Sequence, residues 1–324
     1  MRLESLGTKI GSGFLLSALL LSSVIAITLY LVSAISQNSE ELFDTDVPIN
    51  HESLNIKVNV NRALAALRGW VTLGQEEQND DFNLAWDNIR NSMAALTRLT
   101  THNNTALDNN KLQVLEQTLT RLQQAQIEIR DIAHSTDNQP GMKILVQTAA
   151  PMAAQINEHI TNMIELEMLE AGGNDRKPVL KHMADFRGSM ANAVGSIRGY
   201  LLTATPEFKT SFNRYWTMNE TSFAFLQESK TRLSKLQQQD LVQIRRIRES
   251  FYPQVESMFD IRQSTQWDLA QYWMKTRVVP LERQSRNQID ALVMSKQASM
   301  NAGLASIKSN YVSLLSLTGV LFVI

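Results

Sequence analysis

FLLSALLLSSVIAITLYLV, residues Phe14 to Val32, carries no charge, and the first charged residue after Lys9 is Glu40. About 20 apolar residues are needed to cross the hydrocarbon core of a bilayer. The uncharged stretch from Gly11 to Ile35 meets that length. A cleaved secretory signal is the competing reading, because Val32-Ser33-Ala34 resembles a cleavage site. Signal cores are shorter, about 7–15 residues, so an uncleaved transmembrane helix over 11–35 is expected. Arg2 and Lys9 precede it, while Glu40, Glu41, Asp44 and Asp46 follow. Basic residues stay on the cytoplasmic side. Residues 1–10 are therefore expected inside the inner membrane, and the following segment outside, in the periplasm. A second apolar run begins at Tyr311 and continues to Ile324. It is too short to span at 1.5 Å per residue and reads as the first part of a second membrane helix, 310–324, cut short.

Between the two runs, 36–309 has the composition of helices. Val, Ile and Thr do not alternate, and Gly (13) and Pro (7) are few. A net charge of −1 gives no basic excess for nucleic acid. Without cysteine the chain has no disulfide, thiol nucleophile or zinc–thiolate site. Leu112, Leu115, Leu119 and Leu122 step by three and four, and Ile129 and Ile132 continue the seam. Breaks fall at Gly74, Asn103-Asn104 (with Leu107-Asp108 as a cap), Asn138-Gln139-Pro140-Gly141, Gly172-Gly173-Asn174-Asp175 and Thr205-Pro206. Amphipathic segments with short connections predict an antiparallel bundle.

The chain also repeats itself. Shifted by 130 places, Pro48 falls on Pro178, Ala63 on Ala193, Arg68-Gly69-Trp70 on Arg198-Gly199-Tyr200, and Phe82, Asn83 and Trp86 on Phe212, Asn213 and Trp216. Shifted by 129, Asp131-Ile132 falls on Asp260-Ile261, Ser135-Thr136 on Ser264-Thr265, Pro151 on Pro280 and Ile160 on Ile289. A duplicated four-helix unit is expected, with helices near 37–74, 78–103, 107–138 and 141–171, then 177–204, 206–234, 236–264 and 266–309. The first and last helices both meet the membrane. That predicts an all-α fold of two stacked four-helix bundles: a proximal one of 37–138 plus 266–309 and a distal one of 141–264. Ser264-Thr265-Gln266-Trp267 holds no breaker and predicts a continuous last helix, whereas Pro140-Gly141 predicts an interruption.

Leu67-Arg68-Gly69-Trp70-Val71-Thr72-Leu73-Gly74 and Ile197-Arg198-Gly199-Tyr200-Leu201-Leu202-Thr203, with the Phe82/Trp86 and Phe212/Trp216 pairs, resemble the end of the first bundle helix and its successor in a known family. That family is the helical bimodular ligand-binding region of bacterial methyl-accepting chemotaxis receptors and related sensor kinases. The resemblance covers nearly the whole chain. It implies a homodimeric membrane receptor that binds a small solute, often an organic acid, in a bundle core. Output would pass through a cytoplasmic module. Dicarboxylate-binding members tend to carry two arginines one turn apart on the first helix. Here Arg62 and Arg68 are about 240° apart around the helix, which argues against a dicarboxylate and leaves a monocarboxylate, an amine or an aromatic open.

A carboxylate calls for an arginine turned into the bundle, since the planar guanidinium holds it at two points. Counting rise from the membrane puts Arg68 and Arg277 at one height. Trp86, Arg130, His134 and Trp273 come near the same level, with Arg62 as the alternative on the first helix. The distal candidates are Arg187, Arg245, Arg248 and Tyr252. Arg68 and Arg198 each precede a glycine at a helix end and suit the capping of carbonyls equally well. Arg245, Arg246 and Arg248 also read as a solvated basic face. Pro151, Pro253 and Pro280 are expected to kink their helices. Trp86 and Trp216 recur by duplication and read as packing, whereas Trp267 and Trp273 do not recur. No two of the five histidines lie four apart, and no nucleophile elbow, phosphate loop or carboxylate pair stands out. No metal, cofactor or catalysis is expected. Two alternatives stay open: a kinase sensor that docks a periplasmic binding protein, and a structural helical protein with no ligand.

Overall fold

The computed structural model describes residues 6–102, 106–170 and 173–323. The expected break at Asn103-Asn104, Gly172 and the side chains of Leu107 and Asp108 lie outside the described residues. The all-α class is as expected: the described residues are helical almost throughout and include no strand. The helices are α1 (Leu6–Glu41), α2 (Val47–Leu73), α3 (Glu76–His102), α4 (Ala106–Ile132), α5 (Pro140–Ile144), α6 (Ala150–Leu169), α7 (Lys177–Thr203), α8 (Pro206–Glu228), α9 (Lys235–Gln263), α10 (Leu269–Trp273) and α11 (Val279–Val323). α1 is long and apolar enough to cross a membrane, and its apolar window is not buried by protein. Among the described residues no other helix meets that test.

The chain divides into two compact units, Met1–Gln126 with Arg277–Ile324, and Ile127–Thr276. In the first, α2 and α3 form a hairpin, and α11 packs along α1 and α2. Ile56, Leu67, Phe82, Trp86, Leu115 and Leu122 fill its core. Lys57 pairs with Asp290 at 2.6 Å, and Lys296 lies 3.4 Å from the buried Asp46. In the second unit, α6, α7, α8 and α9 enclose one core that includes Ile156, Met183, Phe186, Phe212, Phe251 and Met258. Its hairpin ends are capped by chemistry legible in the sequence. Pro206 opens α8, and Ser234 and Gln237 form a reciprocal capping box at the start of α9.

The repeat is visible in local geometry. α2 and α7 have the same length, and their starts are offset by the same 130 places. Each ends on a left-handed residue, Gly74 (φ 65°) and Ala204 (φ 58°), whose N–H reaches back to Trp70 O and Tyr200 O. Gly69 and Gly199 also correspond. A Cβ at Gly199 would lie 2.5 Å from the Phe208 ring, so the α7–α8 approach needs glycine there. Alanine in the left-handed region is strained by about 1–2 kcal/mol. Ala204→Gly is therefore expected to stabilise the protein by about 1 kcal/mol, net of the glycine entropy cost. Urea unfolding measures this, and a lower midpoint would show that the αL strain is relieved by other means.

Three prolines follow widened turns. π-helical turns at Leu42–Asp46, Leu145–Ala149 and Met274–Val278 each end two residues before a proline: Pro48, Pro151 and Pro280. Val47 N–H bonds to Leu42 O and Ala150 N–H to Leu145 O. A proline ring clashes with the carbonyl four residues back, and the wider turn makes room for it. Pro253 lies inside α9 without breaking it.

The continuous last helix expected through Ser264-Thr265-Gln266-Trp267 is corrected. α9 stops at Gln263, Ser264 is extended (ψ 166°), and the Asp268 side chain caps Gln271 N–H at the start of α10. The earlier repeat breaks in the same way. Ser135 and Ser264 donate to Ile132 O and Ile261 O, and they accept from Asp137 N–H and Gln266 N–H. Ser and Asp compete with the backbone for such bonds, which is why they end helices.

Candidate functional site

α8 and α9 frame the site. On α8, Trp216 stacks on Phe212 (5.9 Å between centroids) and Phe223 follows two turns later. On α9, Phe251 and Tyr252 pack against Trp216 at 5.9 and 5.3 Å between ring centroids. Arg248, one turn before Tyr252, enters this aromatic cluster. Its guanidinium carbon lies 4.7 Å from the Trp216 ring centre, 4.5 Å from that of Phe223 and 5.8 Å from that of Phe186. Its Nε and Nη2 are buried and have no hydrogen-bond partner.

An unpaired guanidinium inside a helical core is unfavourable, because a buried charge loses its hydration. Burial pulls the pKa of Arg248 down to about 10, against a smaller opposing pull from the Glu220 carboxylate. At neutral pH the group is still charged. The ring faces offset part of the cost through cation–π attraction. Beside it is a cavity of about 480 Å³ bounded by Trp216, Glu220, Phe223, Gln227, Arg245, Arg248, Glu249 and Tyr252. Trp216 Nε1 donates to Glu220 Oε1 at 3.0 Å. With its amide oriented to satisfy both groups, the Gln227 oxygen accepts from Arg245 Nε and Nη2, each at 3.1 Å. Arg245 is thus occupied and Arg248 is not.

The first repeat is an internal comparison. Shifted by 129 places, the buried Leu112, Leu115, Leu122 and Ile129 of α4 fall on the buried Leu241, Ile244, Phe251 and Met258 of α9. Leu119, also buried, falls on Arg248. One copy has a leucine at this seam position where the other has an arginine. Trp86, the counterpart of Trp216, donates to the buried Gln126 Oε1 at 2.9 Å and has no arginine over it in that position. The seam leucines and the repeat offset were both legible in the sequence. Carrying the seam across the offset would have singled out Arg248 from the arginines around it.

The other sequence-predicted residues are spread out. Arg187 and Arg198 on α7 are exposed, Arg187 beside the fully buried Phe186. Arg62, Arg68 and Arg277 are exposed in the first unit. Arg130, His134 and Trp273 belong to the second unit. Arg130 pairs with Asp131 at 3.2 Å, His134 is exposed, and Trp273 is half-buried. Trp267 is stacked by Arg262 at 4.1 Å, and Arg262 Nε donates to Leu201 O at the end of α7. Of the predicted residues, Arg245, Arg248 and Tyr252 are brought to one cavity.

The first unit holds a cavity of about 660 Å³ bordered by Glu40, Glu41, Asp44, Asp46, Arg98 and Lys296, among others. Its buried acid, Asp46, is paired with Lys296. Among the described residues no group of three His, Asp or Glu side chains is placed to hold a metal ion. In comparisons with known proteins, no family model and no curated sequence matches the chain.

Proposed function

We propose that this chain is the sensor region of a transmembrane receptor of the chemotaxis type. It would bind a small extracellular solute bearing a carboxylate in the α8–α9 cavity. In this reading two stacked helical bundles lie outside the inner membrane between two membrane helices, the receptor is a homodimer, and the segment is not an enzyme. The apolar α1, the Arg and Lys before it and the acids after it support the membrane arrangement. The repeated four-helix pattern supports the two bundles.

The observation that carries the ligand reading is the half-buried Arg248, its Nε and Nη2 buried without a partner, beside a cavity lined by aromatic and charged side chains. A carboxylate offers two acceptors to Nε and Nη2 at once. The cavity also lies in the size range of small-molecule sites, about 300–1,000 Å³. A solute that pairs with Arg248 while touching Trp216 and Phe223 favours one spacing of α8 and α9 over another. Ligands shift such equilibria by their difference in affinity. α9 leads through α10 into α11, so a helix displacement of about 1–2 Å has a covalent route onward.

The test is thermal unfolding of the full chain in detergent against organic acids, amino acids and amines. A carboxylate ligand should raise Tm in proportion to ln(1 + [L]/Kd). The rise should vanish in Arg248→Ala and persist in Arg187→Ala. Silence across the panel would overturn direct sensing and favour a periplasmic binding protein as the partner.

A further inference from the structure

The α8–α9 cavity is not lined for an anion alone. It is bordered by Arg248, whose buried Nε and Nη2 lack a partner just behind the wall, but Glu220 and Glu249 border the same space. Glu249 makes no ion pair among the described residues, and Glu220 has one oxygen engaged by Trp216. Pro253 has no N–H to offer the carbonyl of Glu249, so a backbone acceptor without its α-helical partner is left on a residue that lines the cavity. The remaining lining is Arg245, whose guanidinium is engaged by the Gln227 amide oxygen, and the rings of Trp216, Phe223 and Tyr252.

These features sort ligand classes by charge. A simple carboxylic acid satisfies Arg248 but brings a negative charge beside Glu220 and Glu249. A simple amine satisfies the carboxylates but sits against an unpaired guanidinium. A molecule with an ammonium and a carboxylate on one carbon meets both demands, and an apolar substituent covers the aromatic walls. Accepting that the cavity is a ligand site, on which this inference rests, we propose that its ligand is a zwitterion of the α-amino acid class with an apolar side chain. Its carboxylate would lie on Arg248, and its ammonium would face Glu220 and Glu249.

The test is calorimetric titration of the full chain in detergent with two matched sets. The first is phenylalanine, 3-phenylpropanoate and 2-phenylethylamine. The second is leucine, 4-methylpentanoate and 3-methylbutylamine. Within at least one set the amino acid should bind about tenfold to a hundredfold more tightly than the deaminated acid, the difference a charged hydrogen bond makes. The amine should bind more weakly still. In the double variant Glu220→Gln, Glu249→Gln that preference should disappear. Both side chains are exposed, so folding is expected to persist. If the acids bind as tightly as the amino acids, the zwitterion is overturned and the carboxylate reading stands. If no member of either set binds, both fall.

Discussion

Replacing Arg248 by leucine should make the protein more stable and leave it unable to respond to its solute. The wild-type site holds a charged group in a core, with two nitrogens unpaired. The equivalent place in the first repeat holds the buried Leu119, so a leucine there is a packing solution this architecture already uses. Exchanging buried charge for apolar side chains of similar bulk is often stabilising, by about 1–4 kcal/mol. The gain should show as a higher denaturation midpoint for the second unit and a higher Tm. Ligand-dependent shifts should be lost altogether. Arg248→Lys separates the two effects, since it keeps a charge but loses the flat fork that stacks on rings and grips a carboxylate. A fall in stability on Arg248→Leu would mean that the contacts with Trp216, Phe223 and Phe186 outweigh desolvation. Arg248 would then be a structural element of the core.

The largest loss of stability is expected from Glu167→Ala at the other end of the second unit. Glu167 is buried near the end of α6 and takes both its oxygens into a two-point pair with Arg176, each contact 2.7 Å. Gln237 Nε2 adds a bond of 3.0 Å to one of those oxygens, and the same amide reaches Met163 O at 2.9 Å. Arg176 also donates to Arg232 O. One carboxylate thus ties the α6–α7 turn to the start of α9 and to the turn before it. The hydrogen bonding that Arg176 donates to the Glu167 carboxylate is the leading reason that the Arg176 pKa is raised. Removing one partner of a buried pair typically costs about 3–5 kcal/mol, because the other charge is left buried. Glu167→Gln should lose less, since it keeps an acceptor. A loss under about 1 kcal/mol for Glu167→Ala would mean that Arg176, whose side chain is about 20% exposed, swings into water and recovers its hydration.

Most helix ends were legible because they depend on local chemistry. Gly74, Pro140 and Pro206 each act within one turn of themselves, and so does the Ser234–Gln237 box, which was not singled out. The break at Ser264 was missed because no glycine or proline marks it. A serine and an aspartate made it through side-chain bonds that equally allow a continuous helix. Its repeat partner Ser135 lies just before Pro140, and carrying that break across the offset was the available signal. The π-turns were not legible either. Pro48, Pro151 and Pro280 announce a disturbance, but whether a helix bends or widens depends on how firmly its flanks are packed.

For the site, Arg248 and Tyr252 were among the candidates, as were Arg187 and Arg198, which point to solvent. Adjacent residues on a helix differ by about 100° in direction, so Phe186 is buried while Arg187 is not. By itself, the sequence determined the helical class, most of the breaks between segments, the repeat and the apolar first helix. Each follows from composition and from periods shorter than a few turns. Only the tertiary structure decided which arginine is drawn in among the rings, because that depends on the rotation of α9 against α7 and α8. Phe186 from one neighbour and Trp216 and Phe223 from the other close over Arg248. No single helix carries the information that they meet.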